Sequence, residues 1–221
     1  GRSLCSPRSP DMPSRKSLDP KITFGVEIEL SIPQNSRSVL DQLRRKGINC
    51  AELSRISNQP DGVWKVTHDG SIQCPCHDPN CQTRELVSPI LRGGKGLMNL
   101  HQTLQSVNAL DLSLNKSMGV HVHVGMSKFK FGAIRRICQQ FVRFEYAFDE
   151  IVPPSRRGDE NKYTRSNRNN PRLSWHEGGG LVAAIGRCGG MEELRNLVSP
   201  DRYYKLNLHS FLKHRTLEFR Q

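Results

Sequence analysis

The stretch Phe24-Gly25-Val26-Glu27-Ile28-Glu29-Leu30 alternates apolar and acidic side chains. Successive side chains of a β-strand point to opposite faces, so this pattern predicts a strand with one face turned toward a core. Glu27 and Glu29 then project together from the other face. Two acids on an exposed strand are most often solvated surface, and the motif alone therefore predicts a strand rather than a site.

A second stretch, Gly119-Val120-His121-Val122-His123-Val124-Gly125, places two imidazoles on one strand face and three valines on the other. A lone histidine is commonly a core residue satisfied by hydrogen bonds. His121 and His123 occur together, however, between glycines where a backbone can approach closely. Imidazoles ligate metal ions or donate to phosphate, so the pair favours a functional role.

The third stretch, Arg215-Thr216-Leu217-Glu218-Phe219-Arg220, ends on a carboxylate and a guanidinium that share a strand face. Glu218 can hold a cation while Arg220 binds a phosphoryl group. The alternative is a surface ion pair worth less than about 1 kcal/mol. Strict alternation would put Arg215 on the buried face.

Composition limits the class of protein. The 221 residues, 35% of them hydrophobic, leave room for one substantial domain or two small ones. No apolar run is long enough to cross a bilayer and no signal segment is recognisable, so we expect a soluble, cytoplasmic protein without a membrane partner. Seven cysteines are an odd number and do not suggest the disulfide framework of a small secreted domain.

The formal charge of +12 favours polyanionic partners. Residues 1–20 are basic and rich in serine and proline, which predicts a disordered leader whose charge is solvated. Residues 151–175 form a second, arginine-rich stretch with the proline and asparagine signals of an exposed loop. For this loop the sequence leaves solvation and phosphate capture equally open.

The remaining pattern mixes strands and helices without regular βαβ units. Strands are predicted at 63–66 and 85–88, and the final strands, 203–208 and 215–220, are predicted to pair through a loop. Helices are predicted at 37–46, around a stripe of Leu97, Leu100, Leu104 and Val107, at 131–151, and around 191–198. We expect an α+β domain with a mostly antiparallel sheet, helices packed on one face and the active site on the other.

Six segments, taken together, resemble the amidoligase family, which is grouped with glutamine synthetase and glutamate-cysteine ligase. They are FGVEIEL, WKVTHDGSI, RELVSPIL, GVHVHVG, YYKLNL and HRTLEFRQ, in this order. The resemblance spans roughly Ile22 to Gln221 and implies a catalytic domain over 21–221, similar in fold to that of glutamine synthetase. It also implies an ATP-dependent ligase that joins a small-molecule or peptide carboxylate to an amine through an acyl phosphate.

The resemblance also implies roles for individual residues. The implied ligands of Mg²⁺ or Mn²⁺ are Glu27, Glu29, Glu85, His121 and Glu218. Glu27, His121 and Glu218 would surround one ion, and Glu29 and Glu85 another. His123, Arg215 and Arg220 would contact the nucleotide, and Glu27, Glu29 and Arg220 would be catalytic. Tyr204 and Asn207 fall in a family motif without an assigned role.

Two features depart from the family pattern. The insert Cys74-Pro-Cys76-His77-Asp-Pro-Asn-Cys81 offers four soft ligands for a structural zinc, although the spacing is not that of a standard finger, and a reduced, unliganded loop is the default expectation. The chain also stops directly after EFRQ, where family members usually continue, so we expect a domain truncated at its C-terminus.

The alternative function is a non-catalytic nucleotide-binding or nucleic-acid-binding relative. The net charge and the arginine-rich loop would suit nucleic acid. The sequence has only four tyrosines and no recognisable binding motif, so we do not expect nucleic acid as a partner.

Overall fold

The computed structural model describes residues 18–32, 39–74, 81–110, 112, 114–174 and 180–220. The predicted disordered leader at 1–20 lies outside these residues except for its last three. Among the described helices, none is both long enough and apolar enough to cross a bilayer.

The described part of the chain contains eight strands and seven α-helices. The strands are β1 (Thr23–Ile32), β2 (Cys50–Glu52), β3 (Trp64–His68), β4 (Gln82–Val87), β5 (Leu91–Arg92), β6 (Val120–Gly125), β7 (Leu206–Asn207) and β8 (Thr216–Arg220). The helices are α1 (Val39–Arg45), α2 (Gly93–Asn108), α3 (Phe131–Asp149), α4 (Pro171–Ser174), α5 (Gly180–Arg187), α6 (Met191–Val198) and α7 (His209–His214). A 3₁₀ turn covers Pro154–Arg156.

All eight strands form one sheet in the order β2-β3-β4-β1-β6-β8-β7, and β5 pairs with β1 beside this path. Only the β2–β3 pair is parallel. The predicted α+β class with a mostly antiparallel sheet is therefore confirmed. The three alternating stretches become neighbours, since β6 lies between β1 and β8.

One face of this sheet is apolar. Phe24, Val26, Ile28 and Leu30 of β1 pack with helices α1 and α2 in one core cluster, which includes Leu43 and Val107. A second cluster joins α3, α5 and α6 to β7 and β8, where it includes Leu206 and Leu217. Helices therefore cover the apolar face, as the alternation of side chains predicts.

Helix α2 faces the sheet with only part of the predicted stripe. Val107 is buried and Leu100 is partly buried against the core, as predicted. Leu97 and Leu104 are 45% and 41% exposed, and Gly96 is buried in their place. The reason is close packing at Gly96, where an added Cβ would come within 2.9 Å of the Leu91 side chain. This contact sets the rotation of the helix.

Helix α3 also departs from the predicted pattern. Phe144, predicted to be buried, is 44% exposed. Its backbone (φ −112°, ψ 15°) is not helical, so a kink there turns the side chain out of the buried stripe. The helix ends at Asp149, two residues before the predicted end.

The last two strands are joined by the short helix α7 rather than by the predicted loop. Arg215 ends this helix in the left-handed region (φ 56°, ψ 35°), and β8 begins one residue later. Strand alternation therefore does not apply to Arg215. Its guanidinium lies over the ring of Phe211, 5.2 Å from the centroid, and the side chain is exposed rather than buried.

The cysteine-rich insert differs from both expectations. Cys74 and Cys81 form a disulfide. The expectation of a reduced loop is wrong for this pair, and sulfurs bonded to each other are not the thiolates that zinc requires. Cys76 and His77 lie outside the described residues.

Candidate active site

Seven ligand-type side chains meet on the polar face of the sheet. Strand register causes this, because Glu29 stands opposite Glu85, Glu27 opposite His121, and His123 opposite Glu218. The side chains fall into three sets, each with its ligand atoms within 4.8 Å of one another: Glu27, Glu85 and His121; Glu27, His123 and Glu218; and Glu29, Asp69 and Glu85. Since the sets share members, they form one continuous carboxylate-histidine cluster.

All five predicted metal ligands belong to this cluster. His121 is buried, and its Nδ1 lies 3.1 Å from Glu27 Oε2 and 3.7 Å from Glu218 Oε1. Its Nε2 lies 3.9 Å from Glu29 Oε1. The imidazole thus stands among three carboxylates that come from the first strand and the last.

Glu27 is held in its ionised form. Burial by itself would raise the pKa of this carboxyl. The neighbouring imidazoles of His121 and His123 outweigh burial and keep the pKa well below its usual range. A carboxylate that is charged at neutral pH is available as a cation ligand.

His123 carries the clearest sign of a missing partner. Its Nδ1 lies 3.1 Å from Thr216 Oγ1, whereas its buried Nε2 has no hydrogen-bond partner among the described residues. Glu27 Oε1 is 3.4 Å from this nitrogen. An unsatisfied buried polar atom costs about 1–3 kcal/mol, so its presence needs an explanation. Burial by itself would lower the pKa of His123, but Glu27 and Glu218 raise it above its usual value, so a cation bound at Nε2 would replace a proton there.

Glu85 lies in the most crowded part of the cluster. The residue is 7% exposed, and its carboxylate forms no ion pair in the described part of the chain. Burial, followed by repulsion from Glu27 and Asp69, raises the pKa of Glu85 to about 7. Two carboxylates this close repel each other when both are charged, and a cation between them removes that repulsion.

Asp69 is the residue that the sequence interpretation missed. Asp69-Gly70 was interpreted only as a turn signal, yet Asp69 is 2% exposed and belongs to the set with Glu29 and Glu85. Ser71 donates to its Oδ1 and Arg55 pairs with its Oδ2 at 2.9 Å. The missed signal is alternation, because Thr67 stands opposite Glu85 and position 69 continues that face.

Glu218 is oriented from both sides. Asn207, which is buried, donates from Nδ2 to Oε2 at 2.7 Å, and Arg220 donates from Nη1 to Oε1 at 2.6 Å. The Nε of Arg220 reaches the Tyr163 carbonyl at 3.4 Å. The hydrogen bond from Asn207 holds the Glu218 carboxylate in place. The sequence motif alone did not reveal this role.

The arginine-rich loop is not uniformly exposed. Arg156 is 5% exposed and donates to the Met118 carbonyl. Burial lowers the pKa of its guanidinium, while the charge of Glu29 acts in the opposite direction. Arg165 pairs with Asp201 and lies over the Tyr204 ring. Part of the loop that was predicted to be exposed therefore packs beside the polar face.

The fold and the cluster define an α+β protein with a carboxylate-histidine site of the kind that holds divalent cations. The family described as "Putative amidoligase enzyme" matches residues 20–221, so the chain belongs to that family. The family assignment made from the sequence is confirmed. No curated protein and no solved structure matches the chain at a significant level.

Proposed function

We propose that this protein is an ATP-dependent carbon–nitrogen ligase that joins a carboxylate to an amine through an acyl phosphate, with Mg²⁺ or Mn²⁺ as its cations. Membership of the amidoligase family supports ligase chemistry. The observation that carries the proposal is the convergence of seven ligand-type side chains, drawn from five segments of the chain, on one face of one sheet.

The donor set fits these cations. Carboxylate oxygens are the preferred ligands of Mg²⁺ and Mn²⁺, and imidazole also suits the latter. Glu27, His123 and Glu218 would hold one ion beside His121, and Glu29, Asp69 and Glu85 another. The buried His123 Nε2, which has no hydrogen bond in the described part of the chain, and the crowded Glu85 carboxylate are the positions that cations would satisfy. When bound, the ions would neutralise the charge on the transferring phosphoryl group.

The chain's own residues bind and orient the reactants. Arg220 uses two of its donors on Glu218 and Tyr163, and its remaining N–H groups are available for phosphate oxygens. Asn207 and Arg220 together keep Glu218 aimed at the cluster. Such positioning supplies most of the catalysis in phosphoryl transfer, so the mechanism requires no nucleophilic serine or cysteine.

The reaction has two balanced steps. An oxygen of the substrate carboxylate attacks the γ-phosphorus, the new O–P bond forms, the bond to the bridging oxygen breaks, and ADP leaves. The amine nitrogen then attacks the acyl carbon with its lone pair. The bond from carbon to the phosphate oxygen breaks, its electron pair departs with phosphate, and the proton of the amine passes to solvent.

The test is ADP release by the protein with a panel of amino acids and peptides as acids and amines. Wild type is compared with Glu27→Gln and Arg220→Ala, and with Glu150→Gln as the matched control, since Glu150 is an exposed acid after α3. We expect both site variants to lose turnover by at least about 100-fold while circular dichroism stays unchanged. Equal turnover in all four proteins would remove Glu27 and Arg220 from the mechanism.

A further inference from the structure

Arg156 is a buried cation beside the carboxylate-histidine cluster. The residue is 5% exposed, and in the described part of the chain its guanidinium forms no ion pair. Its Nη2 donates to the Met118 carbonyl, and the guanidinium makes no other hydrogen bond to the described residues. Since a guanidinium has five N–H donors, most of them are left without a protein partner. Unpaired buried charge is costly and is found mainly at functional sites.

The loop after α3 places Arg156 at the end of the polar face where β6 begins and β8 ends. The Met118 carbonyl that it contacts lies two residues before β6. Further along the same loop, the Tyr163 carbonyl accepts a hydrogen bond from Arg220, the last residue of β8. Because His121 stands opposite Arg220 in the β6–β8 pair, both contacts lie at one end of the sheet. The loop therefore crosses this end and brings Arg156 to the side of the site where Arg220 lies.

Arg156 is also connected to Glu29, one of the proposed metal ligands. The Met118 carbonyl accepts from Arg156, and the N–H of the next residue, Gly119, donates to Glu29 Oε2 at 2.7 Å. Burial lowers the pKa of the Arg156 guanidinium, the charge of Glu29 opposes this effect, and the charge of Arg220 adds to it. Arg156 therefore lies within electrostatic reach of both a metal ligand and the arginine that is proposed to contact phosphate.

Two guanidiniums that repel each other beside a site for cations favour an anion in the same place. In the proposed reaction, the anion held at the cluster is the phosphoryl group that passes from the nucleotide to the acid. A guanidinium matches phosphate oxygens with two parallel hydrogen bonds. Charge spreads over the equatorial oxygens of this group in the transition state, so donors that approach from different sides stabilise it. Arg220 approaches from β8 and Arg156 from the loop.

We infer that Arg156 is a further catalytic residue and that it binds the transferring phosphoryl group together with Arg220. The inference rests on the proposed ligase function. It also decides, for one residue, between the two roles that the sequence left open for the arginine-rich loop. Arg165 of the same loop pairs with Asp201, whereas Arg156 keeps its charge for a ligand.

The test measures the binding of inorganic phosphate, a probe that does not depend on knowing the acid. Phosphate is titrated calorimetrically into the protein in the presence of Mg²⁺ and saturating ADP. We expect Arg156→Gln to lose at least about tenfold in affinity for phosphate, because a charged donor is removed. Its affinity for ADP with Mg²⁺ should equal that of the wild type, since ADP lacks the transferred group. Arg156→Lys keeps the charge and should lose less affinity for phosphate than Arg156→Gln.

Arg157→Ala is the matched control, because Arg157 is the next residue of the loop and its Nε donates to the Val152 carbonyl. Its affinity for phosphate should equal that of the wild type. If Arg156 only supported the fold through Met118, Arg156→Gln would lose thermal stability and affinity for ADP as well as for phosphate. That result, or equal losses of phosphate affinity in Arg156→Gln and Arg156→Lys, would overturn the inference.

Failure of the inference and failure of the proposed function give different results. If Mg²⁺ and ADP bind the wild type but phosphate does not, or if phosphate binds Arg156→Gln as tightly as the wild type, the inference falls and the ligase proposal stands. If neither Mg²⁺ nor ADP binds to the folded protein, the ligase proposal falls and takes this inference with it.

Discussion

Two groups of buried charged side chains in this molecule differ in how completely their charges are satisfied. In the first, the fully buried Lys205 pairs with Asp149 and lies 3.7 Å from Glu145. Each of these carboxylates also accepts a backbone N–H, from Gly158 and Arg168 respectively. All three charges of this group therefore have partners.

The second group is the carboxylate-histidine cluster, in which only some of the charged groups have partners. It holds five carboxylates, of which Asp69 and Glu218 pair with Arg55 and Arg220. In the described part of the chain, the Nε2 of His123 has no hydrogen-bond partner and the Glu85 carboxylate forms no ion pair. We infer from this difference that the Lys205 group stabilises the fold and that the carboxylate-histidine cluster binds a ligand. Unpaired buried charge is costly, and it is found mainly at functional sites.

The largest expected effect is on the satisfied group. Lys205→Met leaves the buried Glu145 and the half-buried Asp149 without their cation, so we expect the free energy of unfolding to fall by about 3–5 kcal/mol. Urea denaturation followed by circular dichroism measures it. Lys46→Met, at an exposed position, should change stability by no more than about 0.5 kcal/mol. Similar losses of stability in the two variants would show that Lys205 contributes no more to the stability of the fold than an exposed lysine does.

Binding of a cation should stabilise the second group. Mn²⁺ at about 100 times its dissociation constant should raise the free energy of unfolding by about 2.7 kcal/mol, and EDTA should reverse the rise. Thermal unfolding with and without the ion measures this. Glu27→Gln should lower the increase and the double variant Glu27→Gln/Glu85→Gln should abolish it, whereas Glu150→Gln should keep it. An increase that persists in the double variant would place the ions somewhere other than the cluster.

The contact between Asn207 and Glu218 gives an intermediate effect. Asn207→Ala removes the donor that orients Glu218, so we expect the affinity for Mn²⁺ to fall about 10- to 100-fold. Titration followed by electron paramagnetic resonance measures it, with exposed Asn49→Ala as the control. A variant that loses stability but binds Mn²⁺ normally would show that Asn207 supports only the fold.

The smallest effect tests the repulsion around Glu85. With its pKa raised from 4.5 to about 7, the folded protein keeps a proton that the unfolded chain releases in this window. Stability of the metal-free protein should therefore fall as pH rises from 4.5 to 7. Glu85→Gln should remove this contribution and be about 1 kcal/mol more stable than wild type at pH 8. If the stability of Glu85→Gln depends on pH in the same way as that of Glu150→Gln, repulsion at Glu85 does not cause the pH dependence.

Local pattern predicted much of this site. Alternation in three stretches assigned Glu27, Glu29, His121, His123 and Glu218 to the polar sides of strands, and the register of β1, β6 and β8 then brought those sides together. Asp69 was missed because an Asp-Gly pair is also the commonest turn signal, and turn chemistry hid the continuing alternation.

Where sequence interpretation failed, backbone features that side-chain spacing does not encode were responsible. The face of α2 follows the close approach of Gly96 to Leu91 and to Phe24 of β1, and not the spacing of its leucines alone. The position of Arg215 follows from the end of α7, which no strand pattern could anticipate.

The sequence by itself determined which side chains share a strand face, because that alternation is a property of a few consecutive residues, and the family was recognisable from the same motifs. Tertiary structure alone decided which faces meet, in what register, and which acids share a site. Glu27 and His121 are 94 residues apart in the chain. Their contact depends on how whole strands pair and pack, which no short stretch of sequence contains.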